Sequence, residues 1–163
     1  MDREPPSASL IAGRQAYAAI LEQMAASARM ELVILSHAFD AAVYGAEPLV
    51  ERVKAFCLAH ERARVRVLVN QPALAMRSAH RFVELGRRMP SRIGFRQLDD
   101  EDRGVIEELA IGDGRSLLHR ETPDQLEARY LADAPLEARP HLKTFDELWE
   151  RGVPAREFSE LKI

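Results

Sequence analysis

The chain has 163 residues, of which 47% are apolar and 30% charged, with a formal net charge of −3. That is the length and composition of one globular domain, able to bury a core without disulfides. The charge argues against a general nucleic-acid coat. The single cysteine, Cys57, excludes an intrachain disulfide, and no apolar run approaches the ~20 residues of a membrane span.

Residues 1–10, with Pro5, Pro6, Ser7 and Ser9, read as a loose leader to a single domain over 11–163. They lack the layout of a secretion signal, so a cytoplasmic location is expected. From Ala12 to Arg29 the apolar residues Tyr17, Ile20, Leu21, Met24 and Ala28 recur at helical spacing. The run ELVILS, 31–36, suits a buried parallel strand. HAFDAAVYG reads as a loop or short turn. Pro48 then opens a helix reaching about His60, whose apolar face takes in Cys57 as a core thiol.

VRVLVN, 65–70, is a second strand, and Leu74 to Met89 a third helix with Ser78, Phe82, Leu85 and Met89 on one face. RIGFRQL, 92–98, alternates as a third strand. After the acidic turn DDEDRG come three short strand candidates, VIEELAIG, RSLLHR and LEARYLA. A helix over roughly 138–151 follows, and the tail is expected to pack Phe158 and Leu161 onto the body. The order predicts an α/β fold: a mixed, mostly parallel sheet flanked by helices on both faces.

The words SHAFD, LVNQP, AHRFVELGRRMPSRIGFR, IGDG and FDELW, in that layout, resemble a phospholipase D-like half. As a set they are similar to an uncharacterised proteobacterial family of such domains, from Tyr17 onward. The superfamily carries HxKxxxxD, with histidine as nucleophile on phosphorus, lysine on phosphate and a supporting acid. Placing the acid at Asp113 puts Glu108 at the lysine position and Ile106 at the histidine position. Isoleucine cannot attack phosphorus, and a carboxylate repels phosphate. The resemblance therefore implies a degenerate site. HLK at 141–143 matches HxK, but it falls within a helical segment and its acid position is Leu148.

Other residues could carry function. Between Arg62 and Arg96 stand nine arginines against one acid, Glu84. Arg77, Arg81 and Arg88 fall in one stripe of the third helix and would suit phosphate oxygens. A solvated face pairing with acids 99–102 is the plainer expectation. Strand ends collect polar residues: Ser36, His37 and Asp40, then Asn70 and Gln71, then Asp113. These could form a pocket, or a metal site from His37, Asp40 and Asp113, although the spacing carries no metal signature and no metal or cofactor is expected. His80 reads as an exposed histidine, and Met76 and Val83 as an outward apolar pair.

Ligand contacts are thus expected at Arg77, Arg81, Arg88, Ser36 and Asn70. His37, His80 and Asp113 are the catalytic candidates. Single-half relatives often build one site from two chains, which implies a homodimer. The leading expectation is an inactive phospholipase D-like domain that binds a phosphate-bearing ligand or nucleic acid. The alternatives are a dimer or protein-interaction scaffold, and a phosphodiesterase of altered chemistry.

Overall fold

The computed structural model describes residues 7–75 and 80–159. Met76, Arg77 and Ser78 of the expected third helix, and Leu161 of the tail, lie outside them. In chain order the elements are β1 (Ser9–Ala12), α1 (Arg14–Ser27), β2 (Glu31–Ser36), α2 (Ala41–Tyr44) and α3 (Glu47–Ala59). Next come β3 (Arg64–Val69), α4 (Pro72–Ala75), α5 (Arg81–Arg88) and β4 (Ile93–Gln97). The rest are β5 (Glu108–Gly112), β6 (Ser116–Arg120), β7 (Glu127–Leu131), α6 (Pro135–Arg151), β8 (Val153–Pro154) and α7 (Arg156–Ser159).

Among the described residues eight strands join one sheet, in the order β1-β7-β6-β5-β2-β3-β4-β8. Along β2, Leu32 and Ile34 face one layer while Val33 and Leu35 face the other. Both faces are covered, so the run is apolar throughout rather than alternating. One layer holds α1, α3 and α5, presenting Tyr17, Leu21, Met24, Leu49, Val53, Phe56, Phe82 and Leu85. The opposite layer is α6, presenting Ala138, Phe145, Leu148 and Trp149. Cys57 is a buried thiol, pushed up to about 11 by burial. Among the described residues no helix is long and apolar enough to cross a membrane.

Five expectations change. Ser9 and Leu10 are not leader: they belong to β1, which pairs antiparallel with β7. HAFDAAVYG is more than a loop or short turn, because Asp40 accepts from Ala42 N and caps the short α2. The third helix is not continuous, since His80 is extended (φ −109°, ψ 104°) between α4 and α5. The stripe of Arg77, Arg81 and Arg88 loses its helical basis there. Val83 is buried on α5, not turned outward.

The sheet is mixed, but parallel pairing is confined to β2–β3 and β3–β4 among the described strands. The link from β4 to β5 carries only a 3₁₀ turn, Asp100–Asp102. A connection without a crossover helix cannot return to the far edge of the sheet. It passes along the carboxyl edge instead, and β5 descends antiparallel beside β2. That turn of topology decides where Glu108 and Asp113 lie.

Candidate functional site

At the carboxyl edge of β2 stands Glu108, which the resemblance aligns with a lysine and which is 8% exposed. Three donors converge on its carboxylate. Ser36 Oγ (3.0 Å) and the His37 backbone N–H (3.1 Å) donate to Oε1, and Tyr44 Oη (2.9 Å) donates to Oε2. Ser36 Oγ also accepts from Phe39 N at 2.9 Å. Burial pushes the Glu108 carboxyl up, opposed by these hydrogen bonds and by the Arg120 charge. Burial, with the Glu108 charge next, suppresses ionisation of Tyr17 and Tyr44 beside it. Arg120 lies over the Tyr17 ring at 5.8 Å. The arrangement is an acid-centred hydrogen-bond network. Ile106, which the resemblance aligns with the family histidine, is 36% exposed on the segment leading into β5.

The loop after β2 closes this edge. Phe39 takes φ 48°, a conformation unusual for a bulky residue. Its ring is fully buried, stacked on Tyr44 at 4.6 Å and on His80 at 4.7 Å. His80 is therefore not an exposed helix histidine. It is 4% exposed, and its Nε2 donates to the Phe39 carbonyl at 3.0 Å. Burial lowers its pKa, partly offset by that hydrogen bond and by Asp40.

The polar strand ends do not form one pocket. Asn70 is fully buried on the other side of the edge, and its amide donates to the carbonyls of Arg103 (3.0 Å) and Val105 (2.7 Å). It pins the segment entering β5. Ser36 and Asn70 are thus spent on internal bonds rather than offered to a ligand. Asp113 lies at the opposite edge of the sheet because β5 runs antiparallel. There its carboxylate accepts from the backbone N–H groups of Arg29, Met30 and Glu31 at 2.8–2.9 Å. A metal site from His37, Asp40 and Asp113 is excluded by that separation.

The basic window is also redistributed. Arg66, 9% exposed, donates to Glu31 and Asp146 and stacks on Phe145 and Trp149. Arg87 donates to Glu84 and to the Phe158 carbonyl. Arg92 binds the His60 and Glu61 carbonyls, and Arg96 stacks on Trp149 while binding its carbonyl. Arg81 forms an exposed pair with Glu47 at 3.1 Å, not with acids 99–102. Arg62, Arg64 and Arg88 remain exposed. Arg81 and Arg88 line a cleft of about 750 Å³ between α3 and α5, which Glu47, Glu51 and Glu84 share.

Sequence reasoning missed a second cluster. Glu107 and His119 point to the α6 side of the sheet, where His119 Nε2 meets Glu107 Oε2 at 2.6 Å. His141, on α6, places its ring 4.6 Å from that of His119. Burial, then the His119 charge, lowers the pKa of His141. The three border a cleft of about 460 Å³ with Leu35, Leu109 and Phe145. The hairpin register Leu109↔His119 brings the first two together, and α6 delivers the third. The spacing has no local signature. The one signal in the sequence was the HLK word, which placed a histidine on the closing helix.

A family model described as Domain of unknown function (DUF7931) matches residues 13–161. The chain belongs to that family. No curated protein sequence matches it. Among solved structures, the DUF7931 chain is similar to a phospholipase D family member, Nuc from Salmonella typhimurium. The TM-score is 0.63 at 11% identity, over 91% of this chain and 97% of that one. NucT from Helicobacter pylori gives 0.63 at 11%, over 91% and 98%. TrmBL2, an archaeal chromatin protein whose structure shows a novel mode of DNA binding, gives 0.65 at 14%. That match covers 91% of this chain and 54% of TrmBL2, about half its length. The phospholipase D-like fold expected from the sequence is therefore the fold of this DUF7931 chain.

Proposed function

We propose that this chain is a non-hydrolytic phospholipase D-like domain that binds a phosphate-bearing ligand, nucleic acid before others. The observation that carries the reading is Glu108. It is a buried carboxylate with three donors of its own, standing where the resemblance puts a phosphate-binding lysine. With isoleucine at the nucleophile position, the edge keeps its framework and loses its chemistry.

An anionic ligand is repelled from that acid and goes to the exposed arginines. Arg81 and Arg88 are the contacts, with Arg77 preceding them in the chain. The Arg81–Glu47 pair is exposed on both sides, so it is weak and easily exchanged for a phosphate contact. The likeness to a DNA-binding chromatin protein supports nucleic acid as the first class to test. Exposed Ile106, at the same edge as Glu108, gives a homodimer a surface on which to close.

The test is fluorescence anisotropy of labelled single-stranded DNA, duplex DNA and RNA at low and moderate salt. Binding that weakens with salt, and weakens further in Arg81→Ala and Arg88→Ala, is the expected result. Absence of binding at low salt overturns the ligand reading, and sedimentation then tests a dimer scaffold. Hydrolysis of a simple phosphodiester, lost in His37→Ala or His80→Ala, overturns the non-hydrolytic reading.

A further inference from the structure

Among the described residues, one group of three metal-ligating side chains converges on a shared space: Glu107, His119 and His141. Their ligand atoms all lie within 4.8 Å of one another. We infer that these three residues form a binding site for a divalent transition metal ion of the zinc class. It lies on the α6 side of the sheet, away from the Glu108 network, and does not depend on the nucleic-acid reading.

The chemistry of the donors selects the ion. Two imidazoles and one carboxylate, with no thiolate, suit zinc and its neighbours rather than magnesium or calcium, which prefer all-oxygen shells. Zinc–ligand bonds near 2.0–2.2 Å imply ligand atoms about 3.3 Å apart in a tetrahedron. Reaching that from the present arrangement takes rotation of side chains, not movement of the sheet. Three protein ligands leave the fourth position open, and all three line a cleft of about 460 Å³.

An ordinary Glu107–His119 ion pair accounts for two of the residues and not for the third. His141 sits with its ring tilted 52° to His119 at 4.6 Å. A bound cation would take one ligand atom from each of the three at once. The placement is also rigid: His119 is 8% exposed in the central hairpin, and His141 is fixed on the seventeen-residue α6. Sites carried on strands and helices hold geometry better than sites on loops.

The experiment uses the untagged full chain, stripped with a chelator and dialysed. Zinc is titrated by calorimetry, and cobalt(II) by the visible absorption that reports four-coordinate geometry. One metal per chain is expected, with tetrahedral-type cobalt bands. Glu107→Gln and His141→Ala each weaken zinc binding by about tenfold or more, while His60→Ala does not. Both side chains are only part-buried, so these two variants fold even if His119→Ala does not; matched circular dichroism melts of the metal-free proteins check this. Failure of the wild-type chain to bind zinc overturns the inference. So does binding that Glu107→Gln and His141→Ala leave unchanged.

Discussion

Tyr44 donates a 2.9 Å hydrogen bond to Glu108 Oε2 from a helix of four residues that Asp40 caps. A family lysine at this position would meet the Tyr44 hydroxyl, Ser36 and an N–H, with Arg120 nearby. These surroundings suit a carboxylate, with three donors aimed at its two oxygens.

Stability therefore depends on Glu108 and on pH in a defined direction. Burial raises its folded pKa above the ordinary carboxylate value. Between those two values the folded state binds more protons than the unfolded state, so stability falls as pH rises through that window. Glu108→Gln stays neutral, keeps an acceptor for Ser36 and His37 N, and removes that fall. Glu108→Ala strands the Ser36 and Tyr44 hydroxyls and leaves a cavity, costing about 2–4 kcal/mol. Urea melts of the three proteins across the acid range measure both effects.

Installing the superfamily's histidine and lysine tests the same network from the other side. Ile106→His with Glu108→Lys places an ammonium where three donors need an acceptor, next to Arg120. The double variant is expected to lose more stability than Glu108→Ala and to gain no phosphodiester hydrolysis. A folded double variant with turnover would mean that the surroundings still accept the reaction.

His80 gives an opposite pH signature. Burial depresses its folded pKa below the ordinary histidine value. The neutral ring contributes stability above the unfolded pKa, and this is lost as pH falls from that value through the folded one. His80→Gln cannot charge, so its stability should be flatter between about pH 6.5 and the acid limb. Thermal melts in that interval compare the slopes. His80→Phe also tests the stack on Phe39, whose ring lies 4.7 Å away and parallel within 3°.

The sequence shows the strands and helices well and the site poorly, for one physical reason. Runs such as ELVILS and VRVLVN are local facts, and they form β2 and β3 as expected. Strand direction is not local. Nothing in VIEELAIGDG tells that β5 runs antiparallel to β2, and that direction separates Asp113 from Ser36. Long-range pairing likewise hid the fate of the arginines: Arg66 finds Glu31 and Asp146, thirty-five and eighty positions away. The sequence singles out Glu108 only through the resemblance. Its three donors were not legible, because Tyr44 came from a segment read as a loop or short turn.

Asp113 should prove structural. It takes φ 52° and satisfies three backbone N–H groups at the start of β2. Asp113→Ala leaves those donors without their acceptor and keeps a side chain in the left-handed region, costing about 1–3 kcal/mol. Asp113→Asn retains one acceptor oxygen and tolerates that conformation, so it costs less. Neither should alter binding of zinc or of nucleic acid. A selective loss of ligand binding in Asp113→Asn, at unchanged stability, would return this residue to the site.

Arg66 separates charge that is available from charge that is only counted. Its guanidinium bridges Glu31 and Asp146 and lies over Phe145 at 5.0 Å and Trp149 at 5.6 Å. Arg66→Ala removes the cation and the packing of its stem, leaving the part-buried Glu31 unpaired. A loss of about 3–5 kcal/mol is expected. Arg66→Met restores the apolar volume and recovers part of that loss, but not the charge. Since Arg66 faces the α6 layer and not solvent, the salt dependence of nucleic-acid binding should be the same in Arg66→Met and wild type. In Arg88→Ala the slope of log K against log salt should fall by about 0.9 for a lost duplex-phosphate contact. Equal slopes in all three proteins would leave Arg88 as surface charge. A reduced slope in Arg66→Met alone would place the ligand on the α6 face.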